Sequence, residues 1–220
     1  MMTEARTTFL PAAGHDLFLP LYDPLTKLLG ADRARRELLD QAALRPGDRL
    51  LDIGCGTGSL LLMIQRLFPE VAVVGLDPDP KALARARRKA EREAASIELD
   101  QGFADSLPYP DASFDRVLSS MMFHHLEGAQ KEKTLSEARR VLKPGGSLHL
   151  LDFAGPEDSD GFLARLFHSS HRLQDNTEGR ILGLMSRAGF AEPKKVGQGA
   201  LLFLRVAYYR APVASEVRSA

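Results

Sequence analysis

Cysteine occurs once in this chain of 220 residues, neither sign of charge is in excess, and long apolar runs are missing. The single Cys55 excludes an internal disulfide and any metal site built from several cysteines. It also fits a reducing compartment. Lys plus Arg and Asp plus Glu each number 29, a balance that argues against nucleic acid or an anionic membrane surface as partner. The opening stretch MMTEARTTFLPAAGHD has no apolar core of signal-peptide length, and no stretch elsewhere approaches the length of a membrane span. These absences lead to the expectation of a cytoplasmic globular protein, monomer or homodimer, with no membrane span and no nucleic-acid partner. What is present is enough apolar material for one core: 44% of the residues are hydrophobic and 26% charged.

From about Arg49 onward, strand and helix signals alternate. RLLDI follows the turn signal RPGD and has the make-up of a buried strand, and SLLLMIQRLF is a helical stretch stopped by Pro69. VAVVGLD is a second buried strand. PKALARARRKAEREAA is rich in good helix formers and has a proline near its first turn; its many charges form a solvated face. SIELDQG, SFDRVLSSMM and SLHLLDF are the next strands. AQKEKTLSEARRVL, between the last two, is an amphipathic helix ended by KPGG. Two helical patterns follow, GFLARLFHSSHRL and TEGRILGLMSRAGF. PKKVGQ and ALLFLRVAYYRA then meet at Gly197 and Gly199 as a closing hairpin. Such alternation implies a mostly parallel sheet covered on both faces, with one antiparallel strand from the hairpin at or near an edge. LYDPLTKLLG and DRARRELLDQAAL precede the sheet as helices.

The stretch LLDIGCGTGSLLLMIQRL places Gly54, Gly56 and Gly58 at the carboxyl end of the first strand, where open α/β sheets bind ligands. A dinucleotide fingerprint would need G-x-G-x-x-G, but its third position falls on Ser59 and the spacing here is G-x-G-x-G. Asp77, ending the second strand, is placed either to accept hydrogen bonds from ribose hydroxyls or to cap the helix that follows Pro78.

LLDIGCGTG, VVGLDPDP, GFADSLPYPDASFDRVLSSMMFHHL and RVLKPGGSLHLLDF resemble, in order and spacing, the successive motifs of class I S-adenosylmethionine-dependent methyltransferases. The likeness runs from about Leu50 to Phe153. LYDPL and the final hairpin resemble, more loosely, the small-molecule methyltransferases of ubiquinone and menaquinone biosynthesis. The resemblance implies a Rossmann-like three-layer sandwich whose seven-stranded sheet is mostly parallel, with one antiparallel strand from the C-terminal hairpin. It implies a helical lid or substrate cap over 1–45, a methyltransferase domain over 46–212 and a flexible tail over 213–220.

It implies S-adenosylmethionine as cofactor and a small-molecule methyl acceptor as partner. Asp52 and the backbone at Gly54 and Gly56 would hold the methionine end, with Cys55 and Gly58 as small residues beside it. Asp77, with Pro78 next to it, would take the ribose. Asp105 would read the adenine amino group, and Ala104 and Ser106 would offer backbone contacts. Ser119, Ser120 and Met121 would line the methionine and sulfonium region, and Tyr22 would close over it.

Methyl transfer is an in-line displacement at an already activated carbon, so the protein contributes alignment and desolvation. A base is needed only where the acceptor must lose a proton, and His124 and His125, just past the fourth strand, are the candidates. His168 and His171 share a helix face without a third ligand nearby, so they line the acceptor pocket and no metal is expected. Two other readings compete: a nicotinamide-dependent oxidoreductase, and a catalytically silent subunit that binds the cofactor to regulate a partner.

Overall fold

The computed structural model describes residues 30–155, 176–201 and 204–215. The strands are β1 (Arg49–Ile53), β2 (Ala72–Asp77), β3 (Ile97–Gln101), β4 (Phe114–Ser120), β5 (Leu142–Phe153), β6 (Lys194–Leu201) and β7 (Leu204–Pro212). They form one seven-stranded sheet in the order β3-β2-β1-β4-β5-β7-β6. The pairs from β3 across to β5 are parallel, and β7 runs antiparallel to both β5 and β6. The single antiparallel strand is therefore one place in from the edge.

The helices are α1 (Ala31–Ala42), α2 (Ser59–Leu67), α3 (Pro80–Glu93), α4 (Gly128–Val141) and α5 (Glu178–Arg187). Two apolar clusters show how they layer. Leu38 and Leu39 of α1, Leu61 and Ile64 of α2 and Leu83 of α3 pack with Leu50, Val73 and Leu118 on one face of the sheet. Leu135 and Val141 of α4, with Ile181 and Met185 of α5, pack with Leu51, Val74 and Val117 on the other. Strands buried on both faces need apolar residues at successive positions, which is why RLLDI and AVVGLD are not alternating.

Three local expectations change. The C-terminal turn does not sit at Gly197 and Gly199. Both lie inside β6, opposite Tyr208 and Val206, and β6 runs on to Leu201 before β7 starts at Leu204. A Cβ on Gly197 would come within 3.1 Å of Gln41 Nε2 and 3.4 Å of the Tyr208 ring, so this glycine lets α1 and β7 approach β6. KPGG does not separate helix from strand either. It is part of β5, as an irregularity between the pairs Phe114–Leu142 and Arg116–Ser147. Finally, α3 begins at Pro80, and its cap is Asp79, whose carboxylate accepts the Lys81 N–H at 2.8 Å. The cap that Asp77 could have been is supplied by its neighbour.

Among the described residues, no helix is long and apolar enough to cross a membrane, and no group of three His, Cys, Asp or Glu side chains is placed to hold a metal. Tyr22, His168 and His171 lie outside the described residues.

Candidate active site

The chain order 3-2-1-4-5 puts the sheet's change of winding direction between β1 and β4. Strand ends diverge there and leave a crevice. A cavity of about 530 Å³ opens at this place, within the size range of small-molecule sites.

One wall is the glycine loop, and its three glycines have two different duties. A Cβ on Gly54 would collide with the Met122 side chain, and one on Gly58 would come within 2.9 Å of the Ala86 Cβ on α3. These two are clearances for protein packing. Gly56 differs: it has a φ of 53° and nothing within 4 Å of where a Cβ would stand. Its open side is the cavity, so this is the position where a ligand can come up against bare backbone.

The loop is fixed from β2. Gly54 and Cys55 donate their N–H groups to Leu76 O at 2.8 and 3.1 Å. Asp77 accepts Gly56 N–H at Oδ2, 2.8 Å, and Asp79 N–H at Oδ1, 2.9 Å. Burial raises the Asp77 pKa above the usual carboxylate value, and these two backbone bonds oppose the rise. From behind, Lys89 of α3 donates to Ser59 Oγ at 2.9 Å and Thr57 Oγ1 at 3.3 Å. Cys55 is buried in the loop and its thiol is pushed up by burial, which makes it inert rather than nucleophilic.

Asp52, near the end of β1, is the most exceptional group of this wall. It is buried, its Oδ1 has no hydrogen-bond partner, and it lines the cavity. Burial pushes its pKa up to about 8, with Arg35 acting in the lowering direction and Asp77 in the raising one. A buried carboxyl with an open oxygen is a place for a donor or a cation from a ligand. Arg35 of α1 lines the same cavity and is paired with Asp32 at 3.2 Å.

At the far end stands β4. Ser120 Oγ is without a partner and lines the cavity, while Ser119 Oγ is buried and unpartnered behind the lining. Met121 follows with a φ of 59°, an uncommon conformation for a residue with a side chain. A short 3-10 turn, Phe123–His125, comes next. His125 lines the cavity, and its ring centroid lies 4.0 Å from that of His124. His124 is held by Asp152 of β5, which is fully buried. The Asp152 carboxylate accepts His124 N–H at 2.9 Å and Phe153 N–H at 2.7 Å, and His124 Nδ1 stands 2.6 Å from Oδ1. A carboxylate in that position makes Nδ1 the donor and leaves Nε2 as the basic nitrogen.

Of the residues expected from sequence, Asp52, Gly54, Cys55, Gly56, Asp77, Pro78, Ala104, Ser120, Met121 and His125 line one cavity. Gly58, Asp105, Ser106, Ser119 and His124 lie outside the lining. Sequence reasoning passed over Arg35, Leu60, Phe103, Met122, Glu127 and Gln130. The last two had a signal, because they form a capping box at the start of α4, with Gln130 accepting the Glu127 N–H at 3.1 Å. Arg35 had none, since only the packing of α1 on the sheet brings it here.

Residues 50–146 match a family model described as a methyltransferase domain. Over 152 residues the chain is 44% identical to a demethylmenaquinone methyltransferase of Thermus thermophilus, covering 67% of this chain and 68% of that one. It is 31% identical over 201 residues to a ubiquinone/menaquinone biosynthesis C-methyltransferase of Syntrophotalea carbinolica, covering 80% and 83%. In fold it is similar to an S-adenosylmethionine-dependent methyltransferase from Aquifex aeolicus, with a TM-score of 0.62 at 20% identity, covering 80% of this chain and 88% of that one. Neither the nicotinamide-dependent reading nor the silent-subunit reading gains support from these likenesses.

Proposed function

The chain belongs to the class I S-adenosylmethionine-dependent methyltransferases, and from that premise we propose that it methylates a small aromatic acceptor of the reduced-quinone kind. When bound, S-adenosylmethionine supplies a methyl group already activated for displacement. The residues of the cavity suit it. Asp77 would hold the ribose hydroxyls with the lone pairs its two backbone bonds leave free. Gly56 gives way to the close approach of the ligand. The open oxygen of Asp52 would hold the α-ammonium group, and Arg35 would supply the charge for the carboxylate beside it. Phe103, Ala104 and Leu76 form the apolar slot for the adenine. Ser120 and Met121 border the methionine and sulfonium end.

The observation that carries the acceptor assignment is His125 at the cavity wall, its ring 4.0 Å from that of His124, which Asp152 holds at 2.6 Å. A ring bearing a hydroxyl becomes a strong nucleophile only when that hydroxyl loses its proton, and His125 is the imidazole placed to take it. His124 and Asp152 then position the His125 ring. The names of the relatives from Thermus and Syntrophotalea support the quinone class.

The test is methyl transfer from labelled S-adenosylmethionine to demethylmenaquinol, with an amine and a thiol offered in parallel. Label on the quinol ring is expected. Label only on the amine or thiol, or on none of the three, defeats the assignment.

A further inference from the structure

We propose that Glu137 and Arg140, three residues apart on α4, are positioning residues for the adenine end of the cofactor, acting through the loop that carries Phe103 and Ala104. This rests on the reading of the cavity as the S-adenosylmethionine site.

Two anchors bracket the part of the β3–β4 loop that borders the cavity. At its start, Gly102 donates its N–H to Asp77 O at 3.2 Å, continuing the sheet. The second anchor is made entirely by α4. Glu137 Oε2 accepts Leu107 N–H at 2.8 Å, and Arg140 Nη2 donates to Leu107 O at 3.1 Å. Both backbone groups of Leu107 are thus held, by two side chains that also hold each other. Arg140 meets Glu137 as a fork, Nε to Oε1 and Nη2 to Oε2, each at 2.7 Å. Its remaining nitrogen, Nη1, donates to Tyr109 O and to Asp111 Oδ1, both at 2.8 Å.

Only Phe103 to Ser106 lie between the two anchors, closed by a turn from Ser106 N–H to Phe103 O at 3.2 Å. The first two of those four residues line the cavity, while neither Glu137 nor Arg140 does. Four residues pinned at both ends have little freedom, so the placing of Leu107 fixes where Phe103 and Ala104 stand. The other end of α4 carries Glu127 and Gln130 into the cavity. One rigid helix therefore sets the distance between the adenine slot and the methyl-transfer end.

The fork is specific to arginine, because a lysine offers one point charge in place of five fixed donors. Burial of Leu107 in the core makes the clamp a contributor to stability as well. A purely structural clamp would lower the melting temperature and leave the affinity of the folded protein unchanged. A positioning clamp changes affinity.

The experiment is calorimetric titration of S-adenosylhomocysteine and of 5′-methylthioadenosine into wild type, Arg140→Lys, Arg140→Met and Glu137→Gln, each checked for cooperative unfolding. Both ligands carry the adenine, and only the first carries the amino-acid end. Arg140→Met should weaken both by the same factor, about tenfold, which corresponds to about 1.4 kcal/mol. Arg140→Lys should fall between it and wild type. Should Arg140→Met fail to fold, Glu137→Gln, nearly isosteric, serves in its place with the same expectation. Folded variants that bind both ligands within about twofold of wild type overturn the proposal, since the loop is then placed without the clamp. Weakening of S-adenosylhomocysteine alone overturns it too, because the effect then lies at the other end. A wild type that binds neither ligand overturns the reading of the cavity itself.

Discussion

The two ends of the cavity are built from different materials. At the ribose wall, the glycine loop is fixed through its own main-chain N–H groups. The loop hangs from Leu76 and Asp77 by three hydrogen bonds, each donated by a main-chain N–H of residues 54–56. At the methyl end the ties run between side chains. His124 reaches Asp152 across 28 residues, and the buried Lys131 reaches Asn176 across 45, at 2.6 Å. A main-chain site has a shape set by backbone geometry and tolerates little change, whereas a side-chain site can be rebuilt without disturbing the sheet. A cofactor common to a family suits the first kind, and an acceptor that differs between members suits the second.

The largest effect expected from breaking this contrast is at Gly56. In Gly56→Val the new side chain enters open cavity space at a φ of 53°. The backbone strain should cost about 1–2 kcal/mol of stability, and titration with S-adenosylhomocysteine should give no measurable heat. Retained binding would mean that the loop is open for some reason other than a ligand.

Next in size is the opposite end. His125→Gln removes the imidazole at the cavity wall, and single-turnover methyl transfer should fall on the order of 10²–10⁴-fold with cofactor affinity near wild type. Asp152→Asn keeps the shape of the pair and removes the carboxylate that holds His124, so it should lower the same rate by a smaller factor. If His125→Gln kept the chemical step and only raised the acceptor KM, His125 would be a wall of the acceptor site and not the base.

Asp77→Ala comes third. It removes the carboxylate proposed to accept the two ribose hydroxyls and should cost about 1.5–3 kcal/mol of cofactor binding by calorimetry. The same change leaves Gly56 N–H and Asp79 N–H without their partner, so the melting temperature should drop as well. Asp77→Asn, which keeps one acceptor oxygen, should be milder on both counts.

The smallest effect is a proton. With its pKa pushed up to about 8, Asp52 is mostly protonated at pH 7 before ligand arrives. A folded-state pKa above the unfolded one adds stability that is fully present below the unfolded value, near 3.8, and is lost as pH rises through about 8. Pairing with the ligand's ammonium would ionise it. S-Adenosylhomocysteine binding at pH 7 should therefore release up to about one proton, seen as a dependence of the binding heat on buffer ionisation enthalpy. Asp52→Asn should abolish that dependence, and a wild type without it would remove Asp52 from contact with the ammonium.

The strands of the parallel half were legible because burial on both faces writes itself as contiguous apolar runs, and RLLDI matches β1 residue for residue. The glycine loop was legible because a motif of five residues makes its own turn. The hairpin turn was not, since Gly197 answers to Gln41 and Glu37 of α1, which are far off in sequence, and Gly199 to Val206 and Tyr208 on the facing strand. The division of labour among Gly54, Gly56 and Gly58 was equally hidden. It depends on Met122 and Ala86, and a run of glycines looks the same whatever stands opposite it.

What the sequence determined by itself is whatever a short segment can specify alone: the order of strands and helices, the family motifs, and the presence of Asp77 at a strand end. What only the tertiary structure decided is which side chains meet. Asp152 lies within SLHLLDF and had no mark to distinguish it from any buried strand residue; parallel pairing of β4 with β5 is what brings it to His124. Arg35 and the clamp of Glu137 and Arg140 are of the same kind. Hydrogen bonds act over about 3 Å, so a contact between residues distant in the chain exists only once the sheet has set their places.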